Sequence, residues 1–306
     1  MKNQKGATSR AMRRVSARTT AVYSCGGVRI RVRLPDSRQL DRLTFWLERF
    51  CPGVDTVVNS GTCDCNVSCR LGGPATCITT TPSSIVLRAQ WNDDYPASLA
   101  KFITQVFQKF LIPKGIFIVP SACVAKNGKA ILFIGDYWQG KTAVALAVCK
   151  ADPRLTLIAD NYIAIRNNTV ISGTKYLSVI SNDLPRQTIK AMVVRKESRR
   201  IYFAHSVQPR AARITGIVVP HINAGARHFE RVPQKEATWY LYQKVSRSIS
   251  GEAILFNGSI PSPNLDDQIL AAKRLYSVRR LLRHPMYYAS GSIRTISAFS
   301  RRLLEK

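Results

Sequence analysis

The segment Gly135-Asp136-Tyr137-Trp138-Gln139-Gly140-Lys141-Thr142 satisfies Gly-x-x-x-x-Gly-Lys-Thr, and it constrains the fold more than any other stretch. Such a loop works only between a strand and a helix. Its backbone N–H groups and the positive N-terminus of the following helix must point at the same anion. Both neighbours are present: Ala130–Ile134 is an apolar run of strand length, and Thr142–Cys149 is rich in Ala, Val and Leu before Asp152-Pro153 stops it. In this frame Lys141 reaches the β- and γ-phosphates of a nucleoside triphosphate, and the Thr142 hydroxyl ligates Mg²⁺. Gly135, Asp136, Tyr137, Trp138, Gln139, Gly140 and Ala143 complete the nucleotide-binding set. The side chains of Tyr137 and Trp138 must project outward, since the backbone faces the phosphates. Packing on a neighbour is preferred for them over stacking on a base.

A carboxylate stands at a suitable spacing behind the loop. Asp160 follows the apolar run Leu155–Ile158, eighteen residues after Thr142 (160 − 142 = 18), which leaves room for one helix and a return. In an open α/β sheet the strand C-termini converge on the ligand crevice. Asp160 is therefore expected beside the metal and γ-phosphate, as a metal-site residue or as the base for an attacking hydroxyl. The alternative is an Asp that only shapes the turn at Asn161. His205, His221, His228 and His284 are scattered without metal-ligand spacing.

The order of patterns along the 306 residues is that of an α/β protein. Residues 1–20 are basic and aperiodic and read as a disordered arm. Residues 21–112 read as a small α/β N-terminal domain. Val22–Leu34 alternates like a half-buried strand, and Asp36–Phe50 and Pro96–Phe110 carry apolar residues at helical spacing. Short strands are expected at Val54–Val58, Cys77–Thr80 and Ile85–Leu87. Residues 113–306 read as the nucleotide-binding domain. There Ile116–Val119 and Ala122–Ala125 precede an Asn127-Gly128 hairpin signal; short strands are expected at Tyr162–Arg166, Thr169–Ser172, Met192–Val194, Ile201–Ala204 and Ile214–Val219, and helices at Ala237–Ser248 and Leu265–Leu282.

Charge and cysteine usage bear on partners. Lys+Arg 46 against Asp+Glu 18 gives a net charge of +28. An excess of this size fits an anionic partner, whether nucleic acid, an acidic membrane surface or an acidic peptide, or else reflects a generally basic proteome or solubility alone; an acidic peptide or small molecule is preferred to nucleic acid, for which no recognition motif is present. The longest apolar runs are of strand length, so no membrane span is expected, and without an export signal the location expected is cytoplasmic. Of eight cysteines, Cys63, Cys65, Cys69 and Cys77 crowd together and form a candidate structural zinc set. The spacing lacks a Cys-x-x-Cys knuckle, so ordinary thiols are the stronger reading.

The block from Pro113 to Val170 resembles the kinase domain of HPr kinase/phosphorylase and the wider HPr-kinase-like P-loop group, which is related to phosphoenolpyruvate carboxykinase. The resemblance is carried by Ile118–Val124, by Asn127–Gly135, by the loop through Thr142 and by Leu157-Ile158-Ala159-Asp160-Asn161, with a fainter likeness over Leu281–Gly291. It implies a P-loop kinase domain with a mixed central sheet and a homo-oligomer. It also implies ATP and Mg²⁺ as cofactors, and phosphorylation of a hydroxyl on a serine of a peptide or protein or on a small molecule. Asp160 matches the first of the family's paired aspartates, the catalytic base and metal-site residue, and Lys141 joins it as a catalytic residue. The second aspartate's position holds Asn161, and a histidine position before the loop holds Pro120. These departures keep open an alternative, a nucleotide-binding ATPase or switch without phosphotransfer, associated with nucleic acid through its basic termini.

Overall fold

The computed structural model describes residues 19–57, 61–71, 76–89, 95–136, 138–180, 192–197, 200–204, 211–223, 225, 227–247, 249–250, 254–255, 260–261 and 263–305. The arm expected over residues 1–20 lies almost wholly outside them. The architecture is α/β with mixed sheets.

The first sheet has the order β3-β1-β2-β4-β6-β5. Its strands are β1 (Thr20–Cys25), β2 (Val28–Arg33), β3 (Asp55–Val57), β4 (Cys65–Leu71), β5 (Thr76–Thr81) and β6 (Ser84–Ala89). The alternating run expected as one strand over Val22–Leu34 is a hairpin. Gly26 and Gly27 both take positive φ, 55° and 77°, the conformation of a two-residue turn that only glycine adopts freely. The clear alternation belongs to β2 alone, and Gly26-Gly27, a two-residue hairpin signal, marks the break. Two helices cover the sheet. In α1 (Arg38–Phe50) Leu40, Leu43 and Leu47 are buried, and α2 (Tyr95–Leu111) is apolar nearly all round and packs on α1.

A one-turn 3₁₀ segment, Ile112–Lys114, leads into the second sheet. Its strands are β7 (Ile116–Pro120), β8 (Ala122–Lys126), β9 (Lys129–Phe133), β10 (Thr156–Ala159), β11 (Tyr162–Arg166) and β12 (Thr169–Gly173), then, beyond the three strands of a third sheet, β16 (Ala212–Ile222), β17 (His228–Arg231) and β20 (Met286–Gly291). The order runs β10-β8-β9-β16-β12-β11-β7, and β20 lies against the second half of β16 with β17 outside it. The third sheet contains β13 (Tyr176–Ile180), β14 (Met192–Glu197) and β15 (Arg200–Ala204), and β18 (Ile254–Leu255) pairs with β19 (Ile260–Pro261).

Strand direction sets where a ligand can sit. β16 runs parallel to β9, and β20 runs parallel to β16. β10 is antiparallel to β8, which is antiparallel to β9, so β10 also points the same way as β9. The C-terminal ends of these four strands share one edge, the edge where α/β sheets present ligand crevices. α3 (Lys141–Ala151) and α6 (Ile293–Glu305) pack side by side across this sheet. α4 (Gln234–Ser246) and α5 (Gln268–Leu281) pack on each other elsewhere.

A continuous hydrophobic core joins both sheets, running from Tyr23, Leu47 and Phe107 to Ile118, Ile163 and Ile217. No helix among the described residues is long and apolar enough to cross a membrane.

Candidate functional site

β9 ends at Phe133, Ile134 donates its N–H to the Val218 carbonyl of β16, and the chain then leaves the sheet at Gly135. Six residues later α3 starts at Lys141, with Gly140 as its N-cap at φ 82°. A side chain at Gly140 would collide with Ile222, the last residue of β16. Its conformation therefore favours glycine, while the Ile222 side-chain tip could shift to make room. No side chain caps α3, so its first-turn N–H groups remain available at the loop. By contrast, Asp267 caps α5 by accepting from the Leu270 N–H.

Within the loop, the Gln139 Oε1 accepts the Asp136 N–H at 2.7 Å, and the Lys141 ammonium donates to the Asp136 carbonyl at 2.6 Å. The Asp136 carboxylate pairs with Lys244 of α4, a contact spanning 108 residues. That bond holds the Asp136 carboxyl below its ordinary value. Burial holds the Lys141 ammonium below the ordinary lysine value, opposed by the charges of Asp160 and Asp136. Trp138 has φ 70° and is 78 % exposed, so it does not pack on a neighbour as the sequence suggests. Tyr137, His205 and the Cys77 side chain lie outside the described residues.

Asp160 follows β10 and is buried, 2 % exposed. The Thr142 hydroxyl donates to its Oδ1, and the Ser178 N–H donates to its Oδ2 at 3.1 Å. The chain thus brings together the two oxygen donors that the spacing singled out. Burial raises the Asp160 carboxyl above its ordinary value; the two hydrogen bonds and the charges of Arg49 and Lys141 counter that rise. Arg49, at the end of α1, donates to the Ser178 Oγ at 2.9 Å, and its guanidinium lies 5.8 Å from the centroids of both the Trp46 and Phe50 rings. The first region of the chain therefore shapes the electrostatics of this site. The same helix anchors β13 through Glu48, which accepts from Lys175 and from the Tyr176 hydroxyl, each at 2.8 Å.

Lys244, Ser178 and Arg49 escaped the sequence reading, as did the loop contact that Gln139 makes. Gln139 stood inside the motif, but nothing in a motif says which loop N–H it will cap. The other three act through contacts far apart in the chain, which no spacing rule reports.

Asn161 and Pro120 occupy neighbouring register positions where β10 turns into β11 and β7 ends. Pro120 pairs with Tyr162, and the Asn161 carbonyl accepts the Ser121 N–H at 2.9 Å. The Asn161 amide nitrogen is buried and, among the described residues, has no hydrogen-bond partner.

The cysteines divide by burial. Cys65 and Cys69 lie on β4, four residues apart on one buried face, with Val67 between them. Four residues of strand place their Cα atoms about 13 Å apart, against about 3.8 Å between two sulfurs sharing a zinc ion. One zinc cannot hold both, which corrects the four-cysteine zinc set. Burial pushes the Cys65 thiol up to about 11 and the Cys69 thiol to about 12, so both remain protonated thiols at neutral pH. Cys63 precedes the strand and is partly exposed.

No protein-family model matches the chain, and no curated protein aligns with it.

Proposed function

We propose that this chain is an ATP- and Mg²⁺-dependent phosphotransferase acting on a hydroxyl, built on a P-loop kinase domain of the HPr-kinase-like type behind a small N-terminal α/β domain. The observation that carries the reading is the direct contact of the Thr142 hydroxyl with the Asp160 carboxylate at the exit of a Gly-Lys-Thr loop. Two hard oxygen donors in contact beside a lysine and an uncapped helix N-terminus fit a Mg²⁺–triphosphate pair. In this reading Gly135–Thr142 and Ala143 hold the phosphates, Lys141 offsets γ-phosphate charge, and Thr142 and Asp160 hold the metal. A metal held by Thr142 and Asp160 would supply neutralisation of phosphate charge there. For phosphotransfer, one Asp160 oxygen, released from its bond with Thr142, would receive the proton of the acceptor hydroxyl.

A second reading is favoured by a specific feature. Both Asp160 oxygens are already engaged, and Asn161 cannot serve as a second base. A nucleotide-binding ATPase or switch needs only the metal-side role. Incubation with γ-labelled ATP, Mg²⁺ and host-cell extract separates the two. Transfer of label to a peptide or small molecule, lost in Asp160→Asn while ATP binding persists, is the expected result. Release of free phosphate alone would favour the ATPase reading.

A further inference from the structure

A second cation-rich feature lies at the same sheet edge as the Gly-Lys-Thr loop. β20 parallels β9 and β16 and delivers the chain to α6, so the N-termini of α3 and α6 lie side by side. Packed helices are about 8–10 Å apart, which sets the scale of the separation between the loop and the start of α6. Beside α6 is an open cleft of about 500 Å³ lined by Arg227, Phe229, Arg294, Phe299 and Arg302, with Ser292 and Thr295 at the helix start. Phe229 stacks on Phe299 at 4.3 Å between centroids and 9° between planes, giving the cleft an apolar floor. Arg227, Arg294 and Arg302 are exposed, and among the described residues none of the three pairs with a carboxylate. Like charges facing one cleft repel, and an anion there relieves the repulsion.

The wall of the cleft is a sheet edge. β17 pairs with β20 and, among the described residues, with no other strand; all four of its residues are exposed. The Val232 N–H donates to the Met286 carbonyl. Residues of an antiparallel strand alternate between bonding their partner and facing away, so Phe229 and Arg231 turn their main-chain N–H and C=O outward. These are the groups to which an extended peptide adds. The ladder dimensions agree. Arg294 and Arg302 are eight helical residues apart, about 12 Å along α6, and two acidic side chains four residues apart on one face of an extended chain span about 13 Å.

We infer that the cleft and the β17 edge dock an extended acidic peptide, its carboxylates on Arg227, Arg294 and Arg302 and its main chain added to β17. Guanidinium groups bind carboxylates in a bidentate fork, and the outward main-chain groups of β17 favour a peptide over a nucleic acid. The role of this peptide as the hydroxyl-bearing substrate rests on the phosphotransferase reading. Docking itself needs no nucleotide.

The test uses the full chain without nucleotide. Fluorescence anisotropy is measured with a fluorescein-labelled peptide that alternates Glu with Ser and Leu, with its Lys-for-Glu counterpart, and with oligothymidylate of matched length. The Glu peptide is expected to bind and the Lys peptide not. Arg294→Glu with Arg302→Glu, and separately Arg227→Glu on a different element, are expected to weaken binding by roughly tenfold or more. Lys273→Glu with Arg279→Glu on α5 makes the same charge change as the α6 pair and is expected to leave affinity within about twofold. Arg231→Pro, which removes an outward N–H, is expected to bind more weakly than Arg231→Ala.

The inference is overturned if the Glu peptide does not bind, if the α5 pair weakens binding as much as the α6 pair, or if oligothymidylate binds these arginines more tightly. Equal affinities of Arg231→Pro and Arg231→Ala would overturn strand addition. A bound Glu–Ser peptide that accepts no label from ATP would count against the phosphotransferase reading and leave docking standing; ATP binding without peptide binding would do the reverse.

Discussion

Lys141 carries the most specific burden at the residue scale. Its ammonium is held below the ordinary value of 10.5 by burial, so the folded chain releases that proton more readily than the unfolded chain. Stability contributed through this group therefore rises with pH across the window between the lowered value and 10.5. Phosphate binding acts in the opposite sense, since an adjacent anion favours the ammonium. On the alkaline side, the affinity for Mg²⁺·ATP should fall as pH climbs through the lowered lysine value toward 10.5. Isothermal titration at a series of pH values measures this, and Lys141→Arg, charged throughout, should flatten the profile. A flat wild-type profile would separate Lys141 from the bound phosphates. Lys141, Thr142 and Asp160 were legible because a local motif and one strand-return spacing name them. The partners that tune them were not: the Lys244–Asp136 pair and the Ser178 N–H on Asp160 join residues 108 and 18 positions apart through tertiary packing.

At the element scale, the end of β10 is the part of the site held with least room. A Cβ at Gly173, the last residue of β12, would collide with the Ile158 carbonyl oxygen and lie 2.8 Å from the Ala159 Cβ, one residue before Asp160. Gly173→Ala should force β10 aside, costing about 1–3 kcal/mol of stability. It should also weaken Mg²⁺·ATP binding, because Asp160 moves with the strand. Thermal denaturation together with ATP titration checks both, and an unchanged melting temperature would contradict the close packing. The elements flanking the loop, β9 and α3, were legible from apolar runs bounded by Asn-Gly and Asp-Pro. β4, β17 and α6 were not. β4 sits in a Gly-, Thr- and Cys-rich stretch whose polar look hides three buried positions, Cys65, Val67 and Cys69. β17 is fully exposed and shows no apolar alternation.

At the scale of the whole molecule, the two sequence regions are not energetically separate. α1 from the first region holds β13 through Glu48 and sets Arg49 against Ser178, whose N–H steadies Asp160. The core runs unbroken between the two sheets. The sequence showed a change of character near residue 113 but not this coupling, because composition reports where a chain changes and not which surfaces meet. The parallel placement of β9, β16 and β20 gathers the Gly-Lys-Thr loop, a carboxylate and an arginine cleft along one sheet edge. The central claim is that this edge binds a metal–triphosphate through Gly135–Thr142. Equilibrium titration of the full chain with ATP and Mg²⁺, compared between wild type and Lys141→Ala, tests it most directly. Loss of one charge-assisted contact should weaken binding by about 10- to 100-fold; equal affinity of the two proteins would contradict the claim.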